Sequence, residues 1–347
     1  MRVQVNARNR AFQFEAAAGE KILYAGLRAQ AGLPYECATG TCGTCKARLI
    51  EGRIDDAWPQ APGRKSVRAE RGEFLMCQCT AQTDVSIEVA SFVYPMEPGA
   101  GRLATHSGSV EAVRALTHDV SAFDVALAAP CEFDAGQFMA VGVPGVPGMR
   151  GYSMVNFDQP ARRLRFVVKK KPGGGFSEWL FSGKAAGAKL ELVGPLGKAT
   201  FYPGLDKHLL CIAGGSGIAG MMSILERACG SGHFERHRGH VYFGVRTAAD
   251  AFYLEELSAF RKKFPEALQV TIVFSDADVP DETRKRWPSL KFDRGFVHEA
   301  AKRDMAGKYQ NVRAYLAGPP PAVDAAIRVM LLEAKLTTDN VRYDKFS

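Results

Sequence analysis

The sequence has no long apolar run and no dense block of like charge. A membrane helix needs about 20 consecutive apolar residues, and no stretch approaches that length. The N-terminal segment MRVQVNARNRAFQFEAAAGE alternates apolar and polar residues and has no apolar core of a secretory signal. The Lys and Arg residues behind the net charge of +8 are spread along the chain without a nucleic-acid-binding motif. We therefore expect a cytoplasmic protein that binds neither membranes nor nucleic acid.

Cysteine is scarce but strongly clustered. The chain of 347 residues has eight cysteines, and three of them lie in CATGTCGTC at 37–45. A reducing compartment disfavours structural disulfides, so metal binding or redox chemistry is the better explanation. Cys37, Cys42 and Cys45 are spaced C-x4-C-x2-C, and Cys77 follows downstream, which is the plant-type spacing of a [2Fe–2S] cluster. The glycines in this loop permit the tight backbone that encloses such a cluster.

Two alternatives compete with the cluster: a zinc site and a set of buried thiols. Structural zinc sites favour two C-x2–4-C pairs, and here the second pair is missing. Cys79 competes with Cys77 for the position of fourth ligand. The apolar residues FLM just before Cys77 would fix it beside the loop, so Cys77 is the better candidate.

The pattern of apolar residues predicts a multi-domain protein of α+β and α/β class. Residues 1–95 contain a hairpin, a helix and the cysteine loop, and residues 96–107 are expected to form a linker. Residues 108–204 are short strands broken by Gly and Pro, which indicates an antiparallel β-barrel. Residues 205–347 alternate strands and helices, which indicates a parallel sheet covered by helices.

Four short motifs in the second and third parts suggest phosphate and cofactor binding. RGYS at 150–153 combines a cation with an aromatic ring that could pack on a flat cofactor. PGGGFS at 172–177 is a glycine turn that leads into a predicted helix at Ser177–Phe181, a suitable place for a pyrophosphate. GGSGIAG at 214–220 follows an apolar strand, but the next strand ends in Arg246 without the acid of a dinucleotide fingerprint. AGPPP at 317–321 ends a later strand.

With its motifs in this order, the chain resembles the iron–sulfur flavoprotein reductases of the ferredoxin–NADP reductase superfamily. More narrowly, it resembles the NADH-dependent reductase components of bacterial ring-hydroxylating dioxygenase and diiron monooxygenase systems. The resemblance implies an N-terminal plant-type ferredoxin domain of β-grasp fold, a flavin barrel and a nicotinamide-binding domain. Electrons would pass from NADH through FAD to the [2Fe–2S] cluster.

The resemblance also implies a partner for those electrons. The acceptor would be a Rieske or diiron oxygenase component or a small ferredoxin, and the downstream reaction would be hydroxylation of an aromatic substrate. We expect the reductase to be a monomer. The alternative function is a flavin reductase for free acceptors, with the cysteine-rich part as a zinc or regulatory module.

Family motifs assign flavin roles to individual residues. Arg150 would hold the flavin phosphates, Tyr152 would lie against the flavin, and Ser153 would hydrogen-bond near its reactive N5. Phe346, in the C-terminal YDKFS, would stack on the flavin, so Ser153 and Phe346 are the candidate catalytic residues. The remaining residues expected to contact FAD are Lys169, Gly174, Gly175 and Ser177.

The nicotinamide dinucleotide is expected to bind at the glycine loops of the third part. One loop matches GGSG, and the other matches the family's C-G-P-P with alanine in the place of cysteine. The residues of these two loops are Gly214, Gly215, Ser216, Gly217, Ala317, Gly318 and Pro319. Asp276 stands where NADP-dependent relatives have arginine, and its charge would repel a 2′-phosphate, which favours NADH. Arg246, a cation at the end of the preceding predicted strand, would instead favour NADPH.

Overall fold

The computed structural model describes residues 1–96, 99 and 101–346 and arranges them around three large sheets. Each sheet is built from one continuous part of the chain, so the predicted fold class is confirmed. No helix among the described residues is long and apolar enough to cross a membrane.

The first sheet forms the β-grasp unit that carries the cysteines. Its strand order is β2-β1-β7-β3-β5, with β1 and β7 parallel and the other pairs antiparallel, and β4 pairs with β6 in a small second sheet. The helix is buried on all sides from Ile22 to Leu27. The elements are β1 (Arg2–Ala7), β2 (Ala11–Glu15), α1 (Ile22–Arg28), β3 (Lys46–Glu51), β4 (Ile54–Asp56), β5 (Glu73–Leu75), β6 (Cys79–Ala81) and β7 (Val85–Val89).

The second sheet is the antiparallel barrel, with strand order β11-β10-β13-β8-β9-β12. Its two edges meet just beyond β11, where the Val155 N–H donates to the Arg165 carbonyl at 2.8 Å, so the barrel nearly closes. The elements are β8 (Ala104–Ala115), β9 (Val120–Cys131), β10 (Phe138–Gly142), β11 (Arg150–Ser153), β12 (Ala161–Lys169), α2 (Gly175–Phe181) and β13 (Lys189–Leu196).

Two boundaries differ from the sequence-based expectation. Strand β8 begins at Ala104, inside the stretch 96–107 that was expected to be a linker, and Ala104 pairs with Gly194 of β13. The residues ATHS at 104–107 lack apolar alternation, so the sequence carries no strand signal there. Residues 97, 98 and 100 of that stretch lie outside the described part. Helix α2 begins at Gly175, earlier than the predicted Ser177. The other domain limits stay predictions.

The third sheet is parallel throughout, with strand order β17-β16-β15-β14-β18-β19. The chain order reverses between β14 and β18, and such a switch point opens a crevice at the carboxyl ends of the strands. The elements are β14 (His208–Gly214), α3 (Ile218–Gly230), β15 (Gly239–Val245), α4 (Leu254–Lys263), β16 (Leu268–Phe274), α5 (Asp281–Arg286), β17 (Lys291–Arg294), α6 (Val297–Asp304), β18 (Val312–Gly318), α7 (Pro320–Arg328) and β19 (Val341–Lys345).

The cysteine-bearing unit packs directly against the barrel. Its apolar core continues into Phe138, Ala140 and Leu196 of the barrel strands. The Gly197 N–H donates to the Tyr35 hydroxyl at 3.0 Å across the contact. This packing places the cysteine loop beside β10 and β11.

Candidate functional site

The four predicted cluster cysteines lie together as two pairs of sulfurs. The Cys42 backbone N–H donates to Cys37 Sγ at 3.3 Å. Cys45 Sγ and Cys77 Sγ are 3.1 Å apart, because the Met76 N–H bonds to the Cys45 carbonyl and holds the two segments together. Cys42 is partly exposed, whereas the other three are buried.

Hydrogen-bond donors surround the Cys37 sulfur. The Thr39 and Thr41 N–H groups each donate to it at 3.4 Å. Hydrogen bonds from the Cys42 thiol, from the Thr41 side chain and from the Thr39 and Cys42 amides outweigh burial and lower the pKa of the Cys37 thiol to about 4. A sulfur held among N–H donors suits a thiolate ligand, because the donors stabilise its negative charge.

The arrangement of the sulfurs distinguishes a two-iron cluster from a zinc ion. Tetrahedral zinc with Zn–S bonds of about 2.3 Å would place all four sulfurs about 3.8 Å from one another. Over the described residues, no three of the cysteine sulfurs lie mutually within 4.8 Å. Four thiolates split into two pairs therefore fit a [2Fe–2S] cluster, in which each iron takes two cysteines.

Cys79 lies apart from this group. It begins β6 and faces Asp56 across the small sheet. Burial raises the pKa of its thiol to about 12, which is the behaviour of an inert core cysteine. The geometry thus groups Cys77, and not Cys79, with the three loop cysteines.

The two glycines expected to shape the cysteine loop have the required backbone, and two residues that the sequence did not single out support the loop. Gly40 and Gly43 have φ of +84° and +83°, as the loop requires. Gly63 packs onto both, and a Cβ there would lie 2.8 Å from the Gly40 carbonyl oxygen. The buried Tyr24 hydroxyl donates to the Ala38 carbonyl at 2.9 Å. Gly63 and Tyr24 are distant in sequence, so no local signal could have identified them.

A central cavity of about 680 Å³ lies where the three parts of the chain meet. The predicted flavin residues Arg150, Tyr152, Ser153 and Lys169 line it, together with the loop residues Gly174, Gly175 and Ser177. Ser216 from the third part and Phe346 from the C-terminus also line it. From the cysteine-bearing unit come Cys37, Thr39, Thr41 and Pro62.

Strand β11 places the RGYS side chains at this cavity. The Arg150 guanidinium lies 4.7 Å from the centre of the Trp58 ring, and its Nη1 donates to the Met149 carbonyl at 3.0 Å. The Tyr152 ring is 4.9 Å from that of Phe176, which fixes its orientation. Ser153 is buried. The cation, the ring and the hydroxyl thus line one wall in the order that the sequence predicts.

The glycine turn and the C-terminus complete the cavity wall. Ser177 Oγ accepts from the Lys171 N–H at 3.0 Å, so this hydroxyl supports the turn at 171–174 as well as lining the cavity. The Phe346 N–H donates to the Gly318 carbonyl at 3.0 Å, and its ring lies edge-on to Phe138 at 6.3 Å. The C-terminal aromatic ring is therefore ordered at the cavity.

The two glycine loops of the parallel sheet touch each other at the switch point. Gly214 and Gly215 line a second cavity of about 260 Å³ at the strand ends, and Pro319 lines both cavities. Gly217, Ala317 and Gly318 do not line either cavity. They form the contact between the two loops, behind the lining residues. A Cβ on Gly217 would lie 2.5 Å from the Ala317 carbonyl oxygen, and one on Gly318 would lie 2.9 Å from that of Gly214.

Gly217→Ala is expected to lower the free energy of unfolding by about 1–3 kcal/mol, the usual cost of forcing extra volume into a packed contact. The control is Gly230→Ala at the exposed end of α3, where an added Cβ meets no atom within 4 Å. Chemical denaturation of both variants measures the difference. Equal stabilities would contradict the close-contact argument.

The charged residues predicted to bind the cofactors are already engaged by neighbouring side chains. Arg246 Nη2 lies 2.5 Å from Asp250 Oδ1 and 3.5 Å from Asp119 Oδ2. Lys169 Nζ lies 3.2 Å from the same Asp119 oxygen. Asp276 is exposed at the end of β16, where its carboxylate accepts from the Ser275 hydroxyl at 2.7 Å. Ser275 lines the strand-end cavity, and Asp276 stands beside it.

Comparison with known protein families divides the chain in the same way. Residues 5–82 match the 2Fe-2S iron-sulfur cluster binding domain. Residues 107–201 match the oxidoreductase FAD-binding domain, and residues 211–328 match the oxidoreductase NAD-binding domain. The chain therefore carries a [2Fe–2S] cluster and FAD, and the zinc alternative is wrong.

Relatives with the same three domains cover nearly the whole chain. The ferredoxin–NAD(P)(+) reductase CarAd of Metapseudomonas resinovorans is 35% identical over 94% of this chain and 95% of its own length. A reductase component of naphthalene 1,2-dioxygenase and salicylate 5-hydroxylase systems from a Ralstonia species is 30% identical over 90% of this chain and 89% of its own. The solved ferredoxin reductase in carbazole 1,9a-dioxygenase superposes with a TM-score of 0.79 at 32% identity, covering 100% of this chain and 99% of that one.

The four cysteines thus lie within the part that matches the cluster-binding domain, the RGYS motif and glycine turn within the FAD-binding match, and the two glycine loops within the NAD-binding match. The chain is an NAD(P)H-dependent oxidoreductase that passes electrons through FAD to its [2Fe–2S] cluster. It belongs to the family of ferredoxin–NAD(P)+ reductases that serve as reductase components of multicomponent oxygenase systems.

Proposed function

We propose that the central cavity holds FAD and that Cys37, Cys42, Cys45 and Cys77 hold the cluster directly beside it. The observation that carries this proposal is the shared lining of the cavity. Cys37, Thr39 and Thr41 line the same space as the RGYS motif and Phe346. A cofactor in that space would touch the cysteine loop, so the electron path between them is short.

Each residue of the cavity wall has a distinct task in this proposal. When bound, FAD supplies the exchange between two-electron hydride chemistry and one-electron transfer. Arg150, anchored by the carbonyl of Met149 and by Trp58, offers a cation to the flavin phosphates. Tyr152 provides a flat ring whose orientation Phe176 fixes. Ser153 would offer a hydroxyl to the flavin, and Phe346 would place an aromatic ring against it.

The nicotinamide dinucleotide is proposed to span both cavities. Lys169 and Pro319 belong to both linings, so the two spaces adjoin. Gly214, Gly215 and Ser216 present backbone N–H groups at the strand ends, where open parallel sheets bind nucleotides. We further propose NADH as the preferred donor, because Asp276 places a carboxylate next to the strand-end cavity.

The electron acceptor is proposed to dock on the cysteine loop. Cys42 is the one partly exposed cysteine of the four, and Thr44 beside it is exposed. The names of the relatives favour a Rieske or diiron oxygenase component or a small ferredoxin as the acceptor, and an aromatic substrate downstream. All three redox functions lie on one chain, which suits a monomer. We also propose a cytoplasmic location, because none of the eight cysteines, all of which lie in the described part of the chain, forms a disulfide.

The spectrum of the purified protein tests this proposal. We expect flavin and iron–sulfur absorption bands, about two irons per chain, and a [2Fe–2S] EPR signal on reduction with NADH. Addition of NADPH at the same concentration serves as the comparison for donor preference. A yellow protein that contains flavin and no iron would contradict the assignment of the four cysteines.

A further inference from the structure

Gln78 is a fully buried residue next to a cluster cysteine. Its Nε2 donates to Cys77 Sγ at 3.2 Å, and 0% of the residue is exposed. The same side chain packs on the cysteine loop, where a Cβ on Gly40 would lie 2.9 Å from the Gln78 carboxamide nitrogen. Gln78 therefore touches both segments that supply the cluster thiols.

The orientation of the carboxamide follows from the charge of the sulfur. Gln78 Oε1 is buried and has no hydrogen-bond partner among the described residues. Turning the carboxamide over would place this oxygen against the Cys77 sulfur, where two acceptors would repel each other. A carbonyl oxygen buried without a hydrogen-bond partner costs free energy. The side chain nevertheless adopts this orientation, because it places the N–H group against the Cys77 sulfur.

Behind Gln78 lies a groove of about 1000 Å³ between the cysteine-bearing unit and the barrel. Gln78 and Lys21 both line this groove. Gln78 thus lies between Cys77 and a solvent-accessible groove. A smaller side chain at this position would admit water to the sulfur, so any test must preserve its volume.

We propose that Gln78 raises the reduction potential of the [2Fe–2S] cluster by donating its Nε2–H to Cys77 Sγ. Reduction adds one negative charge to the cluster, and a fixed N–H donor stabilises the reduced form more than the oxidised form. A higher cluster potential favours electron flow from flavin to cluster. The inference rests on the proposed assignment of Cys77 as a ligand.

Gln78→Met removes the donor and keeps the length of the side chain. At a fixed ambient potential, the ratio of reduced to oxidised cluster in the variant holoprotein should fall about tenfold, which for a one-electron couple corresponds to a potential about 59 mV lower. An EPR-monitored redox titration measures this ratio. The reduction potential of the flavin should be the same in Gln78→Met as in the parent protein.

Gln82→Met is the matched control. Gln82 lies just after β6, is exposed, and bonds to the Thr80 hydroxyl at 3.1 Å without touching a cluster cysteine. The reduction potential of the cluster in Gln82→Met should equal that of the parent protein. A Gln78→Met variant with a full cluster and the parental potential would overturn the proposal.

The unsubstituted protein offers a second measurement that decides the question if Gln78→Met fails to assemble a cluster. Holoprotein made with glutamine labelled with ¹⁵N in the side chain should show a ¹⁵N hyperfine coupling in pulsed EPR of the reduced cluster. A cluster signal without that coupling would overturn the role of Gln78. A complete lack of a cluster signal would instead overturn the ligand assignment itself, so the two failures are distinguishable.

Discussion

Cys77→Ala is expected to abolish electron delivery to a one-electron protein acceptor, whereas Cys79→Ala is expected to leave it intact. Cys77 Sγ lies 3.1 Å from Cys45 Sγ, and Cys79 begins a strand outside the sulfur group. Loss of one thiolate leaves an iron of the cluster without its second cysteine. NADH-dependent reduction of cytochrome c, with the EPR signal of the reduced cluster, measures the effect.

NADH-dependent reduction of ferricyanide provides the control for both variants. In the proposed arrangement, hydride transfer to the flavin takes place in the central and strand-end cavities without the cluster, so this activity should persist in Cys77→Ala. Flavin content, measured by absorbance, shows that the barrel is still folded. A Cys79→Ala variant that loses the cluster while Cys77→Ala keeps it would reverse the assignment of the fourth ligand.

The presence of a [2Fe–2S] cluster was predictable because its chemistry imposes a fixed cysteine spacing on a short stretch of chain. Three thiols in one loop must fold back on one small centre, so the sequence alone indicates Cys37, Cys42 and Cys45. The residues that pack against these cysteines lie elsewhere in the sequence. Gly63 packs on the loop from a separate turn, and Gln78 reaches Cys77 through a side-chain rotamer that no pattern of residues encodes.

The proposed flavin residues stand out in the sequence as motifs, but their meeting at one cavity could not be read from it. Arg150 and Ser153 share a strand, so their proximity follows from local geometry alone. That Cys37 and Phe346, near opposite ends of the chain, would line the same cavity depends on how the three parts dock. The docking rests on apolar contacts such as those of Phe138 and Leu196, which look like ordinary barrel residues in the sequence.

Charge pairing changes the interpretation of Arg246. In the sequence it is a cation at a strand end, free to bind a 2′-phosphate. In the structure it is paired with Asp250, four residues further on, and with Asp119 from the turn between β8 and β9. Asp250 is held in place by a capping box with Thr247. These two carboxylates largely neutralise the positive charge of Arg246. Arg246 is therefore a weaker reason to expect NADPH than Asp276 is to expect NADH.

Asp276→Arg is expected to raise the ratio of kcat/KM for NADPH to kcat/KM for NADH by about thirtyfold. The substitution removes a repulsion and adds an attraction toward the 2′-phosphate, each worth about 1 kcal/mol for unit charges about 4 Å apart in water. Asp276→Asn removes only the repulsion and should give about a fivefold change. Steady-state kinetics with both donors and ferricyanide as acceptor measures the ratio without involving the cluster.

Asp278→Arg is the matched control for this prediction. Asp278 lies on the same loop, is exposed, and pairs with Arg294 at 2.7 Å, away from the lining of the strand-end cavity. A general increase of positive charge on the loop would raise the NADPH ratio equally in both arginine variants. A specific contact with the 2′-phosphate predicts that the ratio rises in Asp276→Arg but not in Asp278→Arg. If Asp276→Arg shifts the ratio no more than Asp278→Arg, Asp276 does not select the donor.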